Sequence, residues 1–151
     1  FMSRVDTLKI YGFEVKDFAC VIDGTESYAN ANFALLNPKA REELFNPKRP
    51  IYTKNRDDVP TKYGLDSKVK NSLIADGCII DGEVTNCIVF RGVKIEQGAK
   101  ISNCIIMQDA KIGKDADLKY IIVDKNAEIT NERTLCGAPT HYMVVRKKAK
   151  V

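Results

Sequence analysis

The 151-residue sequence is poor in the residues on which most enzyme chemistry depends. It has no tryptophan and a single histidine, His141, which lies near the end of the chain. Its five cysteines, an odd number, show neither the CxxC spacing nor the Cys/His spacing of a zinc site. No P-loop, dinucleotide-binding fingerprint or Ser/His/Asp set is present. These absences argue against the common catalytic and metal-binding motifs in this stretch of chain.

Long apolar runs and concentrated charge are missing as well. No run of apolar residues is long enough to span a membrane, and we expect no signal peptide. The formal net charge is only +4, and much of it comes from four residues of the tail: Arg146, Lys147, Lys148 and Lys150. We therefore expect neither a membrane nor a nucleic-acid partner, and we expect a cytoplasmic location.

The sequence does contain a short repeat between Val69 and Ile129. Large aliphatic residues return every four to six positions, a spacing that neither a helix nor a strictly alternating strand produces. It is typical of a parallel β-helix, in which three short strands complete a coil of about 17 residues. We predict a mostly β solenoid whose inward-facing residues are Val69, Ile74, Ile80, Val84, Val89, Ile95, Ile101, Ile106, Ile112, Leu118, Val123 and Ile129.

Small residues recur between these aliphatic positions. Cys87 and Cys104 are one coil apart and should stack at the usual strand spacing of about 4.8 Å. That distance does not exclude a disulfide, but we favour unpaired, buried thiols in a reducing cytosol. Corners of a coil need left-handed backbone dihedrals, which Gly and Asn tolerate. We assign to corners Gly77, Gly82, Gly92, Gly98, Gly113 and Asn126, and to a hydrogen-bonded ladder Asn86 and Asn103.

Outside the repeat we divide the chain into three further regions. Residues 1–45 form the end of a preceding domain or an element packed on the β-helix. Within them, residues 8–22 predict two short strands, Thr25 caps a first helix, and Asn37 with Pro38 begins a second. Residues 46–64 form a linker, residues 65–131 the β-helix, and residues 132–151 a tail that caps its open end. The opening Phe1, Met2 and Ser3 suggest a chain cut from something longer.

Enzymes built on hexapeptide β-helices do not fit this sequence. Acyltransferases of this architecture need a histidine base at the coil surface, and the zinc enzymes need several histidines. His141 is the only histidine, and it lies outside the repeat. We therefore disfavour a β-helix acyltransferase and a carbonic-anhydrase-like enzyme, and we expect neither a catalytic nor a metal-binding residue here.

One surface row is a candidate binding site. Arg91, Gln108 and Lys125 share one phase in three successive coils, so we expect their side chains to align on one face. Arg91 and Lys125 would then lie two strand spacings apart, roughly 10 Å. Such a pair can hold a phosphorylated metabolite from two sides. The alternative is that these are ordinary solvated charges.

Longer stretches of this sequence resemble a known family. RPIYTKNRDDVPTKYG, VKNSLIADGCIIDGEVTNC and YIIVDKNAEI resemble the C-terminal part of glucose-1-phosphate adenylyltransferase (ADP-glucose pyrophosphorylase), with the greatest similarity to its GlgD-type subunits. The resemblance implies a left-handed β-helix, a role in glycogen biosynthesis and a tetrameric parent enzyme. It also implies two kinds of partner, a catalytic GlgC-type subunit and further copies of the chain. Residues 1–45 would then end the nucleotidyltransferase domain.

The resemblance also bears on the site residues. Catalytic members carry W-x-D-V-G-T-x-E-S, whose Asp helps to hold magnesium; here the stretch is ACVIDGTES, so that position falls on Val21, with Asp23 one shift away. Valine cannot ligate Mg²⁺, which prefers oxygen ligands. The parent's catalytic domain would need Mg²⁺, whereas this region would need no cofactor. The family associates a basic residue in a D-K motif with effector binding, which corresponds to Lys125.

We therefore expect an assembly and allosteric region of a GlgD-type subunit, itself non-catalytic. The alternative is a free-standing hexapeptide-repeat scaffold or binding module, which would need no further domain.

Overall fold

Successive strands pass through three faces of a solenoid, and each strand pairs in parallel with the strand one coil later. The computed structural model describes residues 7–53 and 57–151. Sheet A contains β1 (Lys62–Tyr63), β4 (Ile79–Ile80), β7 (Lys94–Ile95), β10 (Lys111–Ile112) and β13 (Glu128–Ile129). Sheet B contains β2 (Lys68–Lys70), β5 (Glu83–Thr85), β8 (Lys100–Ser102), β11 (Asp117–Lys119) and β14 (Thr134–Cys136). Sheet C contains β3 (Leu73–Ile74), β6 (Ile88–Val89), β9 (Ile105–Ile106), β12 (Ile121–Val123) and β15 (Met143–Val145).

The aliphatic residues of the repeat form the core, as the spacing predicted. Ten of the twelve predicted residues are buried, and the two in the first coil, Val69 and Ile74, are only partly covered. Each pairs in register with its counterpart one coil away, as Ile95 does with Ile112 in sheet A. Stacking aliphatic side chains in this way removes apolar surface from water along the whole solenoid axis. The fold is the hexapeptide-repeat β-helix that the sequence indicated.

The sheets extend beyond residues 65–131 at both ends. Strand β1 lies inside the predicted linker, and β14 and β15 lie inside the predicted tail. The final coil is longer than the others: Ile105 pairs with Ile122, 17 residues on, whereas Ile122 pairs with Val144, 22 residues on. The extra residues form a loop at the corner between β14 and β15. This loop interrupts the regular period of the sequence, so the spacing of aliphatic residues alone does not predict the last coil.

The N-terminal region contains helices but no strands among its described residues. Helix α1 covers Thr25–Ala34 and α2 covers Pro38–Leu44. The second begins as predicted, with the Asn37 side chain accepting a hydrogen bond from the Lys39 amide at 3.0 Å. The first is preceded by Gly24, and Ser27 Oγ accepts the Gly24 amide at 2.9 Å, so the prediction that Thr25 caps it was wrong. No helix among residues 7–53 and 57–151 is both long and apolar enough to cross a bilayer.

The two strands predicted for residues 8–22 do not form. These residues follow an irregular path, and their large apolar side chains are mostly exposed. The segment has the composition of a strand, but a strand needs a partner for its backbone groups. No strand among the described residues pairs with this segment. Residues 1–3 and three residues of the predicted linker, 54–56, lie outside the described residues.

Helix α1 packs on the outer face of sheet C. The outward residues of that sheet are in register from coil to coil, and Ile105 is fully buried although it points away from the core. Ala29 on α1 is also fully buried in this second apolar cluster, and the Phe33 ring lies 6.0 Å from the ring of Tyr142. The helix is thus held by apolar contact with one face of the solenoid.

Corner residues divide into two groups with different physical roles. Gly92 has a φ of +69° and Asn126 a φ of +57°, the left-handed conformation that was predicted for both. Gly82 and Gly113 do not adopt it, so this reason was wrong for them. Glycine is required there because of close approach: a Cβ on Gly82 would lie 2.5 Å from the Ala99 carbonyl oxygen. Left-handed conformations are also found at Gly77 and Gly98.

The polar ladder and the thiols behave as predicted. Asn86 accepts a hydrogen bond from Asn71 at 2.9 Å and donates one to Asn103 at 2.5 Å. All five cysteines are unpaired, and Cys87 and Cys104 are fully buried. The Cys104 amide donates to Cys87 Sγ at 3.4 Å, so the thiols act as hydrogen-bond acceptors between coils.

Candidate effector-binding site

The predicted surface row lies at the corner between sheets C and A. Each residue of the row is followed by a residue with a left-handed backbone conformation. The amide of that following residue donates a hydrogen bond to the carbonyl at the equivalent row position in the preceding coil. Thus the Asp109 amide donates to the Arg91 carbonyl at 3.0 Å, and the Asn126 amide to the Gln108 carbonyl at 2.9 Å. Arg91, Gln108 and Lys125 therefore occupy equivalent positions in three consecutive coils.

The row continues into the tail. The Lys148 amide donates to the Lys125 carbonyl at 3.0 Å, and Lys148 has the same left-handed conformation, with φ at +59°. Lys147 therefore stands one coil beyond Lys125 in the same phase. Sequence reasoning missed this residue because the last coil has 22 residues. A signal was present, since VRKKAKV repeats the spacing of VDKNAEI, with Val145 and Val151 corresponding to Val123 and Ile129.

No described side chain forms an ion pair with the cations of this corner, although Asp76 stands one coil before Arg91 in the same phase. None of the ion pairs between described residues involves Arg91, Lys125 or Lys147. Lys125 and Lys147 are both exposed and are separated by one coil, so like charges stand about 5 Å apart at their backbones. Like charges at that spacing repel each other, and an anion placed between them would relieve the repulsion.

Gln108 lies in the middle of the row and has an unsatisfied polar atom. Its Oε1 is buried, and it has no hydrogen-bond partner among the described residues. An unpaired buried carbonyl oxygen is unfavourable, and it can be satisfied by a hydroxyl group or by a water. The row thus combines cationic donors at its ends with an amide acceptor between them.

An open, mostly apolar depression of about 500 Å³ lies between α1 and the outer face of sheet C. Its lining includes Met107 and Asp124, the residues that precede Gln108 and Lys125, and Tyr28 of α1. Burial raises the pKa of the Tyr28 phenol, and the nearby Asp124 carboxylate raises it further, so the phenol stays neutral at physiological pH. The depression therefore offers an apolar floor and a neutral hydroxyl group, and none of the cations of the row is among its lining residues.

The remaining sequence candidates do not join this corner. Val21 is exposed and has an apolar side chain, and Asp23 is exposed. No group of three or more metal-ligating side chains occurs in residues 7–53 and 57–151. The residues present therefore do not fit the magnesium site of a nucleotidyltransferase. His141 is exposed and forms a backbone bridge with Ala138 in the last loop.

Comparison with known proteins gives concordant matches. The sequence profile of the family described as "GlmU-like, C-terminal hexapeptide" matches residues 59–141, more than half of the chain. The chain is 47% identical over 94 residues to "Glycogen biosynthesis protein GlgD" of Bacillus subtilis, which is 62% of this chain and 27% of that protein. It is 49% identical over 71 residues to the protein of the same name in Geobacillus stearothermophilus, covering 47% and 21%.

A second group of relatives has a different name. The chain is 30% identical over 96 residues to "Glucose-1-phosphate adenylyltransferase" of Fusobacterium nucleatum, which is 64% of this chain and 25% of that protein. The chain thus spans about a quarter of the length of the curated relatives that it matches. The chain has a higher sequence identity to the GlgD protein of Bacillus subtilis than to this adenylyltransferase.

Proposed function

Because the chain belongs to the GlmU-like, C-terminal hexapeptide family, we propose that it is the assembly and allosteric β-helix region of a GlgD-type subunit of glucose-1-phosphate adenylyltransferase. The parent enzyme makes ADP-glucose and pyrophosphate from ATP and glucose 1-phosphate for glycogen biosynthesis in the cytoplasm. This region binds an anionic effector and a catalytic GlgC-type subunit, and it has no turnover of its own. The unpaired state of all five cysteines supports a reducing compartment.

The observation that carries the proposal is the cationic corner of the solenoid. Arg91, Lys125 and Lys147 stand in one phase without ion pairs among the described residues, with the unsatisfied Gln108 oxygen between them. A sugar phosphate matches this pattern once the Gln108 side chain turns its amide oxygen towards solvent, because its phosphate oxygens accept from the cations and its hydroxyls then donate to that oxygen. The ligand class is therefore a phosphorylated sugar.

The N-terminal region supports the assignment of residues 1–45 to the end of a nucleotidyltransferase domain. Seven large apolar side chains of the irregular segment are exposed: Leu8, Ile10, Tyr11, Phe13, Val15, Val21 and Ile22. So many large apolar side chains exposed within one short segment are unusual and suggest a surface that another element covers. Packing against the strands of such a domain would cover these residues and give the segment its missing partner.

The effector site is tested by binding of glucose 1,6-bisphosphate, measured by isothermal titration calorimetry. Hydrogen bonds to charged groups contribute about 1.5–3 kcal/mol each. We therefore expect the Arg91→Ala/Lys125→Ala variant, which loses two such donors, to bind roughly a hundredfold to ten-thousandfold more weakly. Lys111→Ala removes an equally exposed charge from the outer face of sheet A and should leave the affinity unchanged. Equal affinity in the double variant and the unchanged chain would remove the site.

The regulatory role is tested with a catalytic GlgC-type subunit. We expect the chain alone to form no ADP-glucose from ATP, Mg²⁺ and glucose 1-phosphate. We expect it to co-elute with the catalytic subunit in size-exclusion chromatography and to change the effector response of that subunit. Turnover by the chain alone would contradict the non-catalytic assignment, and failure to co-elute would contradict the partner.

A further inference from the structure

The outer face of sheet B carries a single column of alternating charge. Its register places Lys68 beside Glu83, Glu83 beside Lys100, and Lys100 beside Asp117, one residue in each coil. The order along the solenoid is therefore cation, anion, cation, anion. All four side chains reach solvent: Lys68 and Lys100 are exposed, and the side chains of Glu83 and Asp117 are 44% and 35% exposed.

A column with this order is complementary to itself when it is reversed. If a second column runs antiparallel and faces the first, Lys68 meets Asp117 of the second copy and Glu83 meets its Lys100. Every position then faces the opposite charge. A two-fold axis along the strand direction, between the coils of β5 and β8, produces this arrangement, and such an interface uses the same patch on both copies.

We propose that the outer face of sheet B is an interface on which a second copy of this chain docks in the antiparallel direction. Charge complementarity fixes the orientation and the register of the pair, because a shift of one coil would bring like charges together. This inference is independent of the proposed function, since it rests only on the sheet B column.

The neighbouring outward column of sheet B is partly opposed to this docking. At its centre are two hydroxyl groups, Thr85 and Ser102, which would face each other across the two-fold axis. Its ends carry Lys70 and Lys119, which would also face each other, so two like-charged contacts stand against the four opposite-charged contacts of the first column. Lys119 lies 3.3 Å from the Asp117 carboxylate of its own chain, which reduces this repulsion. A small cavity of about 130 Å³ between these columns leaves space for ordered water.

The other two faces lack this property. The outer face of sheet C is apolar and lies under α1. On the outer face of sheet A, Lys94 stands directly beside Lys111, so the column there does not alternate. Among the faces of the described solenoid, only sheet B has an outward column, from Lys68 to Asp117, in which reversal places each charge opposite its counterion.

Sedimentation equilibrium of the chain at low and high ionic strength tests the proposal. Exposed ion pairs are individually weak and screened by salt, so we expect a dimer at low salt that dissociates as salt increases. Glu83→Lys or Lys100→Glu alone converts both central cross-pairs to repulsion, and the dissociation constant should increase by at least about tenfold. Lys94→Glu makes the same charge change on sheet A and should not weaken the dimer.

Charge complementation makes the test specific. An equimolar mixture of Glu83→Lys and Lys100→Glu chains restores opposite charges at all four positions, so a heterodimer should form. The double variant Glu83→Lys/Lys100→Glu keeps the reversed column complementary and should dimerise again. Thermal unfolding followed by circular dichroism checks that each variant remains folded. A monomer at every concentration and low salt, single swaps without effect, or a mixture that stays monomeric would each overturn the proposal.

Discussion

The outer faces of sheets B and C are built on the same backbone and have opposite chemistry. In sheet C each strand has an apolar residue on both sides, so Ile105 points outwards and is as fully buried as Ile106, which points inwards. In sheet B each inward aliphatic is flanked by outward polar residues, as Ile101 is by Lys100 and Ser102. One face is therefore covered by a helix, and the other is open to solvent.

The difference shows that the hexapeptide repeat specifies only a small part of each coil. The hexapeptide spacing requires one inward aliphatic residue in each strand and leaves the outward positions free. In sheet C those positions were used to attach a helix. In sheet B they carry an ordered column of charge. Function in such a solenoid is therefore encoded in the outward columns, and the inward columns encode only stability.

The largest expected effect on stability comes from shortening one outward side chain on sheet C, compared with the same change on sheet B. We expect Ile105→Ala to lower the free energy of unfolding by about 2–5 kcal/mol, because it opens a cavity between sheet C and α1. We expect Lys100→Ala on sheet B to change it by no more than about 0.5 kcal/mol. Denaturant unfolding followed by circular dichroism measures both values.

Ile106→Ala is the matched control for this comparison, since its side chain lies on the inward side of the same strand. The two isoleucine variants should lose similar stability. If Ile105→Ala behaved like Lys100→Ala instead, α1 would not be packed on sheet C in solution.

A smaller and more local effect is expected from Ala29→Arg. Ala29 is fully buried against sheet C, and an arginine there would have to leave the interface with its charge. We expect α1 to detach while the coils stay intact, because their core does not include the helix. Amide hydrogen exchange should then show lost protection in Thr25–Ala34 and retained protection at Ile95 and Ile112. Glu42→Arg, at an exposed position of α2, should leave both regions protected.

The smallest effect concerns the titration of the Glu83 carboxyl group on the outer face of sheet B. The hydrogen bond from Lys68, at 2.8 Å, and the positive charge of Lys68 lower the pKa of Glu83 below the ordinary value of a glutamate side chain. A lowered carboxyl pKa stabilises the folded state above the unfolded pKa, and this contribution is lost as the pH falls through the folded value. An NMR titration should give a lowered pKa that returns towards the ordinary value in Lys68→Ala. The pKa of Glu128, which Lys150 lowers in the same way, should not change in that variant.

Sequence reasoning predicted the solenoid because its cause is local and repeated. Each inward aliphatic position is set by spacing alone, so Ile80 through Ile129 were placed correctly without any knowledge of packing. The shared phase of Arg91, Gln108 and Lys125 was also predicted correctly, because the repeat fixes which residues are equivalent from coil to coil, whereas their role in binding stays a prediction.

The failures arose where structure depends on a partner or on an interruption of the period. Residues 8–22 have strand composition, but composition does not supply a second strand. Lys147 was missed because the last coil has more residues than the others, so Lys147 does not follow Lys125 at the regular spacing of the repeat. The docking of α1 had a visible signal, the paired aliphatics Ile105-Ile106 and Ile122-Val123, since adjacent strand residues point to opposite faces.

The lengthened coil also shows where this chain tolerates additional sequence. Five residues more than in the preceding coil are accommodated between β14 and β15, and the register of sheet C continues undisturbed through Ile122 and Val144. The surplus projects from a corner, where it disturbs neither the stacked core nor the strand pairing. That corner, around Pro139, is therefore the place to graft an epitope or a fluorescent reporter without altering the rest of the solenoid.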